Sequence, residues 1–194
     1  MSDQPLQLAV MVGSTRDGRF GDTVARWFAG QARQRSDMVV DVVDLVDVDL
    51  PAVLPRRATR ALQTYAERID RADAFVVVTP EYNHSFPASL KQAIDVVFTP
   101  WKRKPVGFVS YGGISGGLRA VEQLRLVFAE LHATTVRETV SFHMAPALFD
   151  RSGELIDPTG PAAAAKTMLD DLAWWAEALR TARNAEVVDA GWTE

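Results

Sequence analysis

Apolar runs rich in β-branched residues alternate along the chain with stretches whose apolar positions recur every three or four residues. The run LQLAVMV predicts a strand over Leu6–Val12, and Val24, Trp27 and Phe28 then fall at helical spacing in a helix over about 21–35. A second strand is predicted over 38–45, where Asp41 and Asp44 interrupt the apolar pattern as on an edge strand with one wet face. Pro51 and Pro55 mark a loop, after which Leu62, Tyr65, Ala66 and Ile69 share one side of a helix over 59–71. AFVVVTP, Ala74–Pro80, is apolar without interruption, as in a central parallel strand covered on both faces. A third helix opens after Pro87 and carries Leu90, Ile94, Val97 and Phe98. The pattern continues with a strand over 105–110, a helix over 118–132, a strand over 135–142 and a last helix over 161–183. Met168, Leu172, Trp175 and Leu179 form the stripe of that last helix.

Strands alternating with helices are the signature of βαβ units, so the expected fold is α/β, a doubly wound five-stranded parallel sheet of order 2-1-3-4-5. The 194 residues fit one domain, 1–194, large enough to bury a continuous core. A net charge of −4 with scattered Lys and Arg lacks the basic stripe that nucleic acid or an anionic membrane requires, so neither partner is expected. The absence of cysteine excludes disulfides, thiolate catalysis and Cys-ligated metals. The segment MSDQPLQLAVMVG has an acid and a proline before an apolar run too short for export, which predicts a cytoplasmic protein.

In such a sheet, ligands bind outside the carboxyl ends of the strands, where the order reverses between strands one and three. The three turns there are GSTRDGRFG, PEYNHSFP and SYGGISGG, the turns richest in Gly, Pro and hydrogen-bonding side chains. The first suits a phosphate. Backbone N–H groups near a helix N-terminus hold a dianion, Ser14 and Thr15 add hydroxyls, Arg16 and Arg19 add charge, and Gly18 and Gly21 allow close approach. It is neither a Walker loop nor the dinucleotide fingerprint. The second turn holds Tyr82, Asn83 and His84 between stiffening prolines, and the third offers successive N–H donors without bulk. A phosphate at one turn and a planar ring held between the other two describe a mononucleotide.

GSTR, TPEYNHSFPASLKQAID and SYGG together resemble the NAD(P)H-dependent FMN reductases, a flavodoxin-like group that includes quinone, azo-dye and chromate reductases. The likeness runs from the first strand to about His132. It implies a three-layer flavodoxin-like sandwich, non-covalent FMN, NADPH or NADH as co-substrate, and a homodimer or homotetramer. It further implies that Ser14, Arg16, Arg19, Phe20 and Gly21 surround the FMN phosphate. Pro80, Glu81, Tyr82 and Asn83, with Ser110, Tyr111, Gly112 and Gly113, would surround the isoalloxazine. Many members carry a GSxRxxSxN pattern where this chain has Arg19 and Gly21, and His84 and Val96 stand where aromatic residues are common.

The implied reaction is hydride transfer from nicotinamide to FMN and on to a quinone, free flavin or similar acceptor by ping-pong, with the flavin carrying the chemistry. It requires no side chain to act as acid or base, so no catalytic residue is nominated; Tyr82 and His84 are candidates for contacting substrate. Two rivals are a flavodoxin-like electron carrier and a non-catalytic relative that has lost FMN. His84, His132 and His143 lack metal-ligand spacing, and no metal is expected. The acids at 41, 44, 47 and 49 fit a solvated edge, although Asp44 could mimic a ribose-binding acid. The helix bearing Leu118, Val121, Leu124, Val127, Phe128 and Leu131 is apolar over more than one face, as a subunit contact would be.

Overall fold

A computed structural model describes residues 4–51 and 53–190, with the side chains of 186–190 left aside. Five strands, β1 (Leu6–Val12), β2 (Met38–Asp44), β3 (Ala74–Pro80), β4 (Pro105–Tyr111) and β5 (Thr134–Phe142), form one parallel sheet of order β2-β1-β3-β4-β5. Five helices connect and follow them: α1 (Gly21–Arg33), α2 (Arg60–Arg71), α3 (Ala88–Asp95), α4 (Leu118–Glu130) and α5 (Thr159–Ala190). Every residue of β3 and β4 is buried, which is why β3 reads as an unbroken apolar run.

Alternate residues of each strand face opposite layers, so the sheet separates two cores. Val10, Val76 and Val109 pack with Phe28, Met168 and Leu172 of α1 and α5. Met11, Val77 and Phe108 pack with Ile69, Leu90 and Phe128 of α2, α3 and α4. Trp101 is wholly enclosed in the second core, 4.7 Å from the Phe75 ring and 5.5 Å from that of Phe128 between centroids. Its indole N–H donates to the carbonyl of Val97 at 2.9 Å, so its one polar atom is satisfied.

The structure moves several element ends. The third helix stops at Asp95 rather than running through Phe98, because Pro100 has no N–H to return to Val96 and the chain re-forms as a short 3₁₀ turn over Thr99–Trp101. Phe98 lies outside the helix and is 50% exposed. β2 ends at Asp44, whose carboxylate accepts from the Val46 N–H and turns the chain into a short 3₁₀ helix. α1 ends two residues early, β4 extends to Tyr111, and α5 starts sooner and runs to Ala190, since no Gly or Pro breaks its alanine-rich pattern after Pro161.

Lys104, at the entry to β4, is buried, and its ammonium donates to the carbonyls of Ile69 (3.2 Å) and Asp70 (2.6 Å) at the C-terminal end of α2. Burial pulls its pKa down from 10.5 to about 8. The unfolded chain therefore binds this proton more tightly, and the group's contribution to stability rises as pH climbs from about 8 to 10.5. Urea midpoints measured between pH 8 and 10 are expected to show a positive slope that Lys104→Met reduces; an identical slope in the variant would exclude Lys104 as its source.

Candidate functional site

The loop after β1 leaves the sheet at the reversal between β1 and β3, where the Gly13 N–H donates to the Val78 carbonyl at 2.9 Å. Ser14 is fully buried, and its hydroxyl meets the Tyr82 hydroxyl at 2.7 Å. α1 begins at Gly21 behind Phe20, with no side chain capping it. Among the described residues, the N–H groups of Thr15, Arg16, Asp17 and Gly18 and those of Gly21, Asp22 and Thr23 at the start of α1 meet no acceptor. Arg16 is exposed beside them, and its guanidinium makes no hydrogen bond or ion pair within the described chain. An uncapped helix start with orphan donors and a spare cation is a receptor for a dianion.

Arg19 is placed differently from the expectation. Its guanidinium grips Asp44 through two bonds of 2.5 and 2.6 Å, and the same Nη1 donates to the Ser14 carbonyl at 2.9 Å. The hydrogen bonds to Asp44 raise its pKa further, although burial opposes them. It braces the loop and does not line the cleft that Thr15 and Arg16 border. The Phe20 ring is likewise committed to packing, 5.3 Å from Phe149 and 6.3 Å from Tyr111, which leaves its backbone for the loop. Gly21 is dictated by the same tyrosine, since a Cβ there would lie 2.6 Å from the Tyr111 hydroxyl. Burial raises the pKa of that phenol, so it stays protonated.

The turn after β3 is a two-residue hairpin. Asn83 and His84 have φ of 50° and 67°, and Tyr82 and Ser85 exchange backbone bonds of 2.8 and 3.0 Å, as in a type I′ turn. Gln123 of α4 pins the tip by donating to the His84 carbonyl at 2.7 Å and accepting from the Ser85 hydroxyl at 2.6 Å. The side chains of Asn83 and His84 are exposed. Glu81 turns away from the hairpin: its carboxylate accepts from the Ser115 hydroxyl (2.7 Å), the Arg119 N–H (3.2 Å) and the Arg119 guanidinium (2.8 Å). Burial opposes ionisation, but these donors prevail and hold the Glu81 carboxyl below its usual range. Glu81 thus ties the second turn to the third through the first turn of α4.

The third turn is laced from beneath. The hydroxyls of Ser110 and Ser141 both donate to the Gly116 carbonyl, at 2.8 and 2.9 Å, so buried Ser110 supports the turn from beneath. The N–H groups of Met144 and Ala145 hold the carbonyls of Gly113 and Gly112. Among the described residues the N–H groups of Gly113, Ile114 and Ser115 meet no backbone acceptor, which leaves successive donors at the surface of the turn.

An open cleft of about 660 Å³ is lined by Thr15 and Arg16 on one side and by Glu81, Tyr82, Asn83 and Pro87–Ser89 on the other. The first two turns are its walls. Ser14, Arg19, Phe20, Gly21, Pro80, His84, Ser110, Tyr111, Gly112 and Gly113 do not line it, but Tyr111 reaches under Gly21 and the 112–117 turn is joined to Glu81. Orphan N–H donors and an unpaired guanidinium on the loop that borders the cleft are groups that suit a phosphate-bearing ligand such as FMN. Sequence reasoning missed Ser115, Arg119, Gln123 and Ser141 as supports. Asp44 had a findable signal, because parallel pairing of β2 with β1 sets it opposite Val12, at the mouth of the loop.

The profile of the NADPH-dependent FMN reductase family matches residues 6–147. A quinone reductase from Pseudomonas putida is 36% identical over 168 residues, covering 81% of this chain and 89% of its own. An NAD(P)H-dependent FMN reductase from Schizosaccharomyces pombe is 34% identical over 123 residues, and the match spans 57% of this chain and only 60% of that protein. Among solved structures, the flavoenzyme NAD(P)H:(acceptor) oxidoreductase FerB from Paracoccus denitrificans superimposes with a TM-score of 0.71 over 89% of this chain and 97% of its own. At 22% identity, that likeness speaks for the shared flavodoxin-like fold. With the family profile covering most of the chain from β1 past β5, this protein belongs to the NADPH-dependent FMN reductase family.

Proposed function

We propose that the chain is a single-domain oxidoreductase that binds FMN at the three turns, accepts reducing equivalents from NADPH or NADH, and passes them by ping-pong to a small acceptor of the quinone type. The observation that carries this reading is a cleft lined by Thr15 and the unpaired Arg16, from the loop that leads into the uncapped start of α1, together with Tyr82 and Asn83 of the hairpin. Bound FMN would supply hydride acceptance from nicotinamide and onward reduction of the acceptor.

The chain's own groups then have separable tasks. The backbone at 15–18 and 20–23, with Arg16, would hold the phosphate. Tyr82 and Asn83 would flank the ring, with His84 at the rim toward substrate. The N–H groups of Gly113 to Ser115 would stabilise negative charge at the ring edge, a role for preorganised donors that need no reorganisation. Glu81 would act through Ser115 and Arg119 by fixing the distance between hairpin and glycine turn.

Leu126 of α4 is 75% exposed and Leu118 is 41% exposed, while Val121, Leu124 and Phe128 face the core. That outward apolar pair supports a homodimer or homotetramer. Among the described residues no helix is long and apolar enough to cross a membrane, and a cytoplasmic setting belongs to this reading.

Purified protein incubated with FMN and desalted is expected to be yellow, to bleach anaerobically with NADPH or NADH, and to recover colour when a quinone is added. Protein that stays colourless would overturn FMN binding, and yellow protein bleached by neither nucleotide would make it a carrier.

A further inference from the structure

The loop that would hold the phosphate has one carbonyl anchored by a side chain. Arg19 Nη1 holds the Ser14 oxygen at 2.9 Å, and Arg19 is itself held by both oxygens of Asp44, from the end of the neighbouring strand. The chain contains no cis peptide among the described residues, so the Ser14–Thr15 unit is trans and its N–H points opposite to its C=O. Fixing the Ser14 carbonyl on the Arg19 side therefore fixes the Thr15 N–H on the other, and Thr15 lines the cleft. From these contacts, and resting on the FMN reading above, we infer that the Asp44–Arg19 pair is a strut that presets the phosphate cradle, with Asp44 a positioning residue for the cofactor's 5′-phosphate.

The pair is suited to that work. Both side chains are mostly covered, at 17% and 20% exposure, so the pair is less screened than a surface bridge. A bidentate guanidinium–carboxylate contact also fixes the plane of the arginine, which a lysine could not match. The carboxylate is spent on Arg19 and on the Val46 N–H, and so adds little net repulsion to a nearby dianion. Where the related GSxRxxSxN pattern has a serine, this chain has an arginine that acts on the loop from behind.

The opposite reading is that Asp44 merely parks Arg19, which swings to the phosphate when FMN arrives. Asp44→Asn separates the two, because its side-chain oxygen can still cap Val46 and keep the local fold while the bidentate ionic hold is lost. Titrations of the apoprotein with FMN and with riboflavin, followed by quenching of flavin fluorescence, read the result. The strut requires that FMN affinity fall by about tenfold in Asp44→Asn with riboflavin affinity unchanged, and that Asp44→Glu recover part of the loss. FMN affinity that is unchanged or increased would overturn it, as would an equal loss for riboflavin, which has no phosphate. Wild-type protein that binds neither flavin would instead overturn the FMN reading, and the strut with it.

Discussion

Arg16→Ala is expected to weaken FMN binding by about 10- to 100-fold while leaving riboflavin binding and thermal stability unchanged. The size follows from deleting a charge-assisted bond to a phosphate, typically worth about 1.5–3 kcal/mol. The selectivity follows from the geometry. Arg16 is exposed and spends its guanidinium on no other described group, so its removal strands nothing, and the stability change should stay within about 0.5 kcal/mol. Arg19 cannot substitute without leaving Asp44. Fluorescence titration with each flavin, at low and high salt, checks this. The wild-type advantage for FMN should shrink as salt screens the contact, and a variant with wild-type FMN affinity would remove Arg16 from the site.

Gly117→Ala is expected to lower stability by about 3 kcal/mol, which for a chain of this length is a melting temperature lower by about 6–12 °C. Gly117 precedes α4 at φ 84°, a conformation that alanine adopts only under strain. An added Cβ would also sit 2.8 Å from the Ser110 Cβ, 2.9 Å from the Tyr111 nitrogen and 3.0 Å from the Tyr111 oxygen. Two of those atoms are backbone of a central strand, so the turn must move instead. Because Ser115 and Arg119 flank this residue and hold Glu81, the loss should extend to flavin affinity. Gly113→Ala is the matched control. A methyl group there would find no atom within 4 Å, and its φ is not positive, so its melting temperature should stay near that of the wild type. Equal melting of Gly117→Ala and wild type would show that the turn tolerates rearrangement.

The two glycines show why composition located the third turn but could not rank its members. Both occur in SYGGISGG, and nothing in that string says which one faces open space and which lies against β4. The serines behave alike. Ser14 and Ser110 are both natural ligand candidates, yet one meets Tyr82 and the other supports the Gly116 carbonyl. A hydroxyl announces that it will bond, not to what.

Periodicity and turn chemistry by themselves determined the layers, the five strands and the edge of the sheet where a ligand would sit. These follow from short-range rules, the two-residue alternation of a strand and the 3.6-residue turn of a helix, and each segment carries its own pattern. Only the tertiary structure decided that Arg19 faces Asp44, 25 residues away, and that Glu81 faces Arg119, 38 residues away. Such pairs are chosen by which strand ends and helix starts come to lie side by side. A guanidinium is satisfied equally well by any carboxylate within reach, and reach is a property of the folded chain.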